Sequence, residues 1–444
     1  MKHNRLFPKA LVVVLIPAFL LSCAPTHIPP VSATGAAWKP DRDEKALWDE
    51  SRNEEKKLRE KAAIYQDPLL VDYLQGVVTR LNPPGMAANT EINFRVTVLE
   101  DPTLNAFAFP TGSLYVHTGL LARAENESQL ATVLGHEMTH VEDRHMLRHQ
   151  RSARNRQLAL MGVAVAGAVV SASEAGHAAS EGHYGKAARI GVLSDIMLGL
   201  GLQLAFIAAV NGYGRELERE ADEGGFTKMA EAGFDTREAP KIYKALLQDH
   251  GDPGKVEAFF FGSHPRLEER IANAQAWVTA HPAPAAVSAL SADAPEPAAS
   301  AGGPEDFTRR MRPVIRDDAR LNIEMGRYEL AEDELKRAIE LMPSDAEARF
   351  QLGRLKLKKA EGEKDPAALE KLRGEAAAAF DEAIRLDPAR PAPYRERGLI
   401  AYRAHDYAAA CAAFRKYVEL DPKADDAQSL RDYLLELQRD GHCP

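Results

Sequence analysis

Three shortages narrow what this chain can be. Of 444 residues only three are cysteines, Cys23, Cys411 and Cys443. A disulfide-built scaffold and a cysteine-rich zinc module are therefore excluded. Positive charge is not in excess: 56 Lys and Arg stand against 65 Asp and Glu, a net charge of −9. Phosphate backbones need a basic footprint, so no nucleic-acid partner is expected. Long apolar runs are lacking too, which rules out a polytopic membrane protein. What remains is ordinary globular composition, 45% hydrophobic and 27% charged. At about 150 residues per domain, the length suits two to three domains.

The N-terminus reads as an address. Residues 1–9 carry Lys2, Arg5 and Lys9 and no acid, and Leu11 to Leu21 form a short apolar run. That pattern predicts a secretory signal peptide over residues 1–22. The run closes on Leu20-Leu21-Ser22-Cys23, which resembles a bacterial lipobox with Cys23 as the lipidated new N-terminus. The residue after it is Ala24, not Asp. By resemblance to lipoprotein sorting in Gram-negative bacteria, this implies anchoring to the outer membrane, facing the periplasm. Residues 23–60 read as a Pro/Ala/Thr-rich tether followed by a charged helix, Asp41 to Glu60, solvated on the domain surface.

A domain is expected over 61–280. Asp67-Pro68 is a helix start, and Leu70, Val71, Leu74, Val77, Val78 and Leu81 follow at helical spacing. Ile92 to Val98 alternates apolar and polar residues as a half-buried strand does. Asn105 to Phe109 and Ser113 to Thr118 are two further short strands, with Pro110-Thr111-Gly112 as the turn between them. Asn126 and Gln129 resemble a capping box opening the next helix, which runs through Leu130, Val133, Leu134, Met138 and Val141. Leu158–Val170 and Ile190–Val210 are apolar but short or interrupted by Asp195 and Gln203. Two buried helices, or a hairpin touching the membrane, both fit them.

Residues 281–305 are almost only Pro, Ala, Ser, Gly and acid, a composition that cannot build a core and reads as a linker. Beyond it Leu-Met-Pro343, Leu-Asp-Pro388 and Leu-Asp-Pro422 recur. The last two prolines are 34 residues apart and the first two 45. Over 306–440 this resembles tetratricopeptide repeats, whose period is 34, with an insertion around Glu361 to Leu372.

The chemistry sits in His136-Glu137-Met138-Thr139-His140. On a helix, residues four apart share a face, so both imidazoles can meet one metal ion. Glu137 is offset by one position and is placed for general-base work. A catalytic zinc takes three protein ligands. The metzincin pattern would need Gly at 143 and His at 146, where the chain has Asp143 and Met146. The third ligand is therefore expected further on, in Arg215-Glu216-Leu217-Glu218-Arg219-Glu220-Ala221-Asp222. Glu218 can complete a two-His, one-Glu site. Asp222, four residues later, can hold a ligating imidazole by its other nitrogen.

HEMTH, then ELEREAD, with NAFAFPTGSLYVHTGLL upstream and SHPRLEERI downstream, resembles the HtpX and CAAX-protease superfamily of zinc metallopeptidases. With the C-terminal repeats, the architecture is similar to the periplasmic β-barrel assembly-enhancing protease group. The resemblance implies a mainly α protein. It would join a zincin-like α+β metallopeptidase domain with a small sheet to an all-α tetratricopeptide-repeat solenoid. It implies one Zn2+ per chain, held by His136, His140 and Glu218. Catalytic roles would fall to Glu137, Asp222 and His264. Substrates would be unfolded or misassembled envelope proteins, and the repeats would engage the outer-membrane β-barrel assembly machinery. The alternative function is a periplasmic chaperone or assembly scaffold with a largely latent peptidase site.

Several residues stay open at this level. Asn105, Ala106 and Phe107 read either as an exposed edge strand that takes substrate or as a buried core strand. His264 reads as a gate, a fourth ligand or an oxyanion donor, or as a turn histidine before Pro265. His145 and His149, past the motif on the extrapolated helix, are expected to rotate off the metal face onto a solvated basic end. Cys411 and Cys443 are left as paired or free.

Overall fold

The computed structural model describes residues 27–34, 38–87, 92–155, 214–248, 267–282 and 304–443. The expected signal peptide, Cys23, the apolar stretches within 158–210, His264 and most of the expected linker lie outside the described residues. Among the described residues no helix is long and apolar enough to cross a membrane. The chain divides into two units. One takes residues up to 300 except Leu121–Arg123, and the other takes that short segment and residues 301–444.

The first unit is helical around a three-stranded sheet. Helix α1 (Arg42–Lys61) and helix α2 (Pro68–Leu81) lead into strands β1 (Arg95–Leu99), β2 (Ala106–Ala108) and β3 (Ser113–His117). The sheet order is β1-β3-β2, with β1 parallel and β2 antiparallel to the central β3. Helix α3 (Glu127–Glu142) carries the HExxH motif, and helices α4 (Arg215–Glu231), α5 (Ala239–Gln248) and α6 (Leu267–Ala280) follow.

Local chemistry sets several of these ends. The Asp67 side chain accepts from the Leu70 amide, with Pro68 in the first turn of α2. Asn126 accepts from the Gln129 amide to open α3. The return bond of the expected capping box goes elsewhere, because Gln129 Oε1 accepts from the Glu125 amide instead. From Gln129 to Glu142 every residue of α3 is buried. A helix surrounded in this way is held by packing on all sides rather than on one face.

Two expectations for the N-terminal stretch are corrected. Residues 27–34 are not all tether: Ile28 and Val31 are 8% and 1% exposed. Ile28 belongs to the core built by Leu47, Leu58, Leu99, Phe107, Phe109, Tyr115, Met146 and Leu147. Helix α1 is more than a solvated helix, since Leu47, Trp48, Ser51, Glu54 and Leu58 are buried. Composition reads the first segment as a Pro/Ala/Thr-rich tether and the second as a charged surface helix, but a few apolar residues at the right spacing suffice to dock them.

The second unit contains helices α7 (Pro304–Glu324), α8 (Tyr328–Leu341), α9 (Ala346–Glu361), α10 (Pro366–Leu386), α11 (Pro391–Arg403), α12 (Tyr407–Leu420) and α13 (Ala427–Arg439). They pack as successive neighbours, α7 on α8, α9 on α10 and α11 on α12. Equivalent positions repeat. A Cβ on Gly353 of α9 would lie 2.4 Å from the Phe380 ring of α10. One on Gly398 of α11 would lie 2.5 Å from the Phe414 ring of α12. Helix α10 has 21 residues where α8 and α12 have 14 each, so the inserted segment around 361–372 partly goes into lengthening that helix. Cys411 and Cys443 form a disulfide, Cα–Cα 5.9 Å, closing a question the sequence left open. The bridge is buried against Leu437 and ties the tail to α12.

Candidate metal centre

The site forms where α3 and α4 touch. A Cβ built on Gly225 would stand 2.9 Å from the His136 amide nitrogen, and one on Gly135 would stand 3.1 Å from the Gly225 carbonyl oxygen. Glycine on both helices lets the two backbones approach this closely. Lys228 of α4 reinforces the crossing. Its Nζ donates to Thr139 Oγ1 at 3.1 Å and pairs with Glu142 at 2.5 Å. Ser32 also donates to Glu142, so the docked N-terminal segment ends on the same helix.

This crossing brings the expected ligands together. The donor atoms of His136, His140 and Glu218 lie within 4.8 Å of one another, all three side chains buried, and could hold a metal ion. The two Nε2 atoms face each other at 3.0 Å. Glu218 stands 3.5 Å from His136 Nε2 and 3.7 Å from His140 Nε2. Two imidazole nitrogens and one carboxylate oxygen, converging and shielded from water, fit the donor set of a zinc site. Glu137 is buried on the same helix.

Asp222 sits behind the ligands, as its four-residue spacing from Glu218 predicts. Its Oδ1 meets His136 Nδ1 at 2.9 Å, which leaves the Nε2 lone pair of His136 pointing into the site. What holds Asp222 was not identified from the sequence, although Arg270 lies in the SHPRLEERI stretch. Arg270 of α6 donates to Asp222 at 2.6 and 3.0 Å, and Tyr243 of α5 donates to it at 2.8 Å. Arg270 also donates to the Tyr243 hydroxyl at 2.9 Å. Burial raises the Asp222 carboxyl, but the Arg270 charge and the His136 hydrogen bond outweigh it and hold Asp222 well below the usual carboxylate range. Burial likewise pushes the Tyr243 hydroxyl well above its ordinary value, so it stays a donor.

His145 corrects another expectation. It is 0% exposed, not solvated, and its Nδ1 lies 2.8 Å from His140 Nδ1. The helical extrapolation fails because α3 stops at Glu142 and Arg144 takes a left-handed φ of 55°. The chain then turns, and residues 145–155 are helical again. His145 Nε2 meets Glu220 at 3.3 Å. Its hydrogen bond and the Arg148 guanidinium pull the Glu220 carboxyl down to about 2. His149 is half-buried.

In the 105–109 segment Asn105, Ala106 and Phe107 are buried, as the core-strand reading expects. Strand β2 is at the sheet edge, hydrogen-bonded to β3 alone among the described strands. Its side chains nevertheless build the core, with Phe107 stacked on Tyr115 at 5.2 Å and edge-on to Phe109. Asn105 is fully buried, and its amide atoms find no hydrogen-bond partner among the described residues.

The profile of Peptidase family M48 matches residues 68–278. This segment belongs to Peptidase family M48. The M48 segment thus runs from the start of α2 into α6 and holds every residue of the donor set and its supports. The β-barrel assembly-enhancing protease of Escherichia coli K12 is 28% identical over 279 residues, 61% of this chain and 52% of its own. That of Yersinia pestis is 28% identical over 220 residues, 50% and 41%. A mitochondrial metalloendopeptidase of Schizosaccharomyces pombe is 29% identical over 206 residues, 46% and 52%. The chain spans about half the length of the curated relatives it matches.

Proposed function

We propose that this protein is a zinc-dependent endopeptidase of the bacterial cell envelope that cleaves misfolded or stalled outer-membrane proteins. The observation that carries the reading is the buried His136, His140 and Glu218 set with Asp222 behind His136. Zinc bound there would acidify a water to a pKa of about 7 and polarise the scissile carbonyl. Glu137 takes the proton of the attacking water and returns it to the leaving amine. Asp222 keeps His136 in the tautomer that offers Nε2. In this reading β2, at the sheet edge, would take an extended substrate through main-chain hydrogen bonds, which tolerates varied sequences. The names of the bacterial relatives favour β-barrel assembly as the setting.

The 34-residue spacing and the matched Gly353–Phe380 and Gly398–Phe414 contacts support reading 306–440 as tetratricopeptide repeats. A stacked array of this kind would hold substrate or the outer-membrane assembly machinery. Cys23 is the proposed lipid anchor. Labelled palmitate should enter the wild type and not Cys23→Ala.

The deciding experiment compares the purified mature protein with Glu137→Gln. About one zinc per chain in both, with casein cleavage only in the wild type, is expected. No bound zinc, or cleavage that survives Glu137→Gln, refutes the mechanism. Zinc without cleavage, alongside suppression of aggregation, would instead favour the chaperone reading.

A further inference from the structure

The two ligand imidazoles are supported differently. His136 meets the Asp222 carboxylate directly. His140 meets a second imidazole, His145, Nδ1 to Nδ1 at 2.8 Å with the rings 77° apart. Two such nitrogens at this distance share one proton, one donating and the other accepting. A metal on His140 Nε2 needs that lone pair, so His140 carries its proton on Nδ1 and donates it to His145. His145 then carries its own proton on Nε2, which faces Glu220 Oε2 at 3.3 Å. Arg148 closes the chain, donating to the other Glu220 oxygen at 3.1 Å.

The backbone is shaped for this arrangement. The left-handed step at Arg144 swings His145 back toward the motif. That step is clamped, since the Arg144 guanidinium lies 4.2 Å over the Trp38 ring and 3.4 Å from Glu44. Asp143, His145 and Glu220 also bring donor atoms within 4.8 Å of one another, the geometry of a second metal cluster. Arg148 argues against that use, because a cation would have to displace a guanidinium already paired with Glu220.

The geometry points to His145 as a positioning residue of the metal centre, an interposed imidazole that couples His140 to Glu220 and holds His140 in its metal-binding tautomer. This rests on reading His136, His140 and Glu218 as the ligands. Support at one remove typically changes metal affinity about 10- to 100-fold. The chain His140–His145–Glu220–Arg148 thus does for the second histidine what Asp222, Arg270 and Tyr243 do for the first.

The test is zinc affinity of the metal-free full chain, titrated against a chromophoric chelator, beside thermal unfolding of the same metal-free samples. His145→Leu keeps the bulk and removes the acceptor; its zinc Kd should rise about 10- to 100-fold. His145→Asn keeps an acceptor oxygen near the Nδ1 position and should recover most of that loss. Glu220→Gln, at the half-exposed outer end, should raise Kd by a smaller factor with the fold intact. A packing role would lower apo stability and leave the affinity of the folded protein unchanged. Unchanged Kd in His145→Leu and Glu220→Gln, or His145→Asn no better than His145→Leu, overturns the proposal. Should His145→Leu not fold, unchanged Kd in Glu220→Gln overturns it on its own. A wild type that binds no zinc would overturn the ligand assignment itself.

Discussion

Arg270→Met offers the sharpest test of how the site is held. Arg270 and Asp222 are both almost fully buried, and the guanidinium makes contacts at 2.6 and 3.0 Å to the carboxylate. Methionine replaces the stem but not the charge. Asp222 would keep Tyr243 and His136 as partners, yet its charge would be left without its cation in a site closed to water. Breaking a buried pair by removing one partner costs about 3–5 kcal/mol. With a urea m-value of about 2 kcal/mol/M, the unfolding midpoint should fall by about 1.5–2.5 M. Tryptophan fluorescence is the suitable probe. Trp38, Trp48 and Trp277, the only three in the sequence, all lie outside residues 301–444, so the signal is blind to the C-terminal helices. Adding Asp222→Asn to Arg270→Met removes the stranded charge and should recover a large part of the loss. A midpoint within 0.3 M of wild type for the single variant (about 0.6 kcal/mol at that m-value) would refute the reasoning. So would a double variant less stable than Arg270→Met, because additive losses mean that the charge was not stranded.

Other consequences follow from the same geometry. Gly225→Ala places a methyl 2.9 Å from the His136 amide, so α3 and α4 must separate; zinc content should drop while far-UV circular dichroism is retained. Glu220, pulled down to about 2, stabilises fully above its ordinary value near 4.5 and loses that contribution as pH falls toward about 2. The stability gap between wild type and Glu220→Gln should therefore close progressively below about pH 4.5, and a gap independent of pH would contradict the assignment. Reducing the Cys411–Cys443 bridge opens a loop with a sequence separation of 32, worth about 3–4 kcal/mol in the chain-entropy treatment. Limited proteolysis should then release the tail after α12 without altering the tryptophan signal.

How far the sequence carries depends on the range of the interaction. His136, His140, Glu218 and Asp222 were legible because a helical period of 3.6 puts residues four apart on one face. The helix start at Pro68 was legible because capping is a matter of neighbouring residues. Arg270 and Tyr243 were not. They are 48 and 21 residues from Asp222 and reach it only once α5 and α6 have packed. His145 was misread for a different reason. The helical period was extended through Asp143 and Arg144, where the chain makes a left-handed step that no turn-forming glycine announces. Ile28 and Val31 were misread because composition averages over a segment, whereas docking depends on single side chains.

The docked N-terminal segment bears on where the enzyme can work. Ile28 is fixed in the core of the catalytic unit, five residues beyond Cys23. A chain spans at most about 3.5 Å per residue, so a lipid on Cys23 would lie no more than about 18 Å along the chain from that core. Were Cys23 lipidated as proposed, so short a leash would keep the catalytic unit from roaming the periplasm. It would graze the inner face of the membrane, within reach of chains emerging from or entering the bilayer and out of reach of proteins dissolved further away. Proximity would then do much of the selecting that a sequence-tolerant edge strand leaves undone. Lengthening the leash between Cys23 and Ile28 would widen the range of substrates while leaving the chemistry untouched.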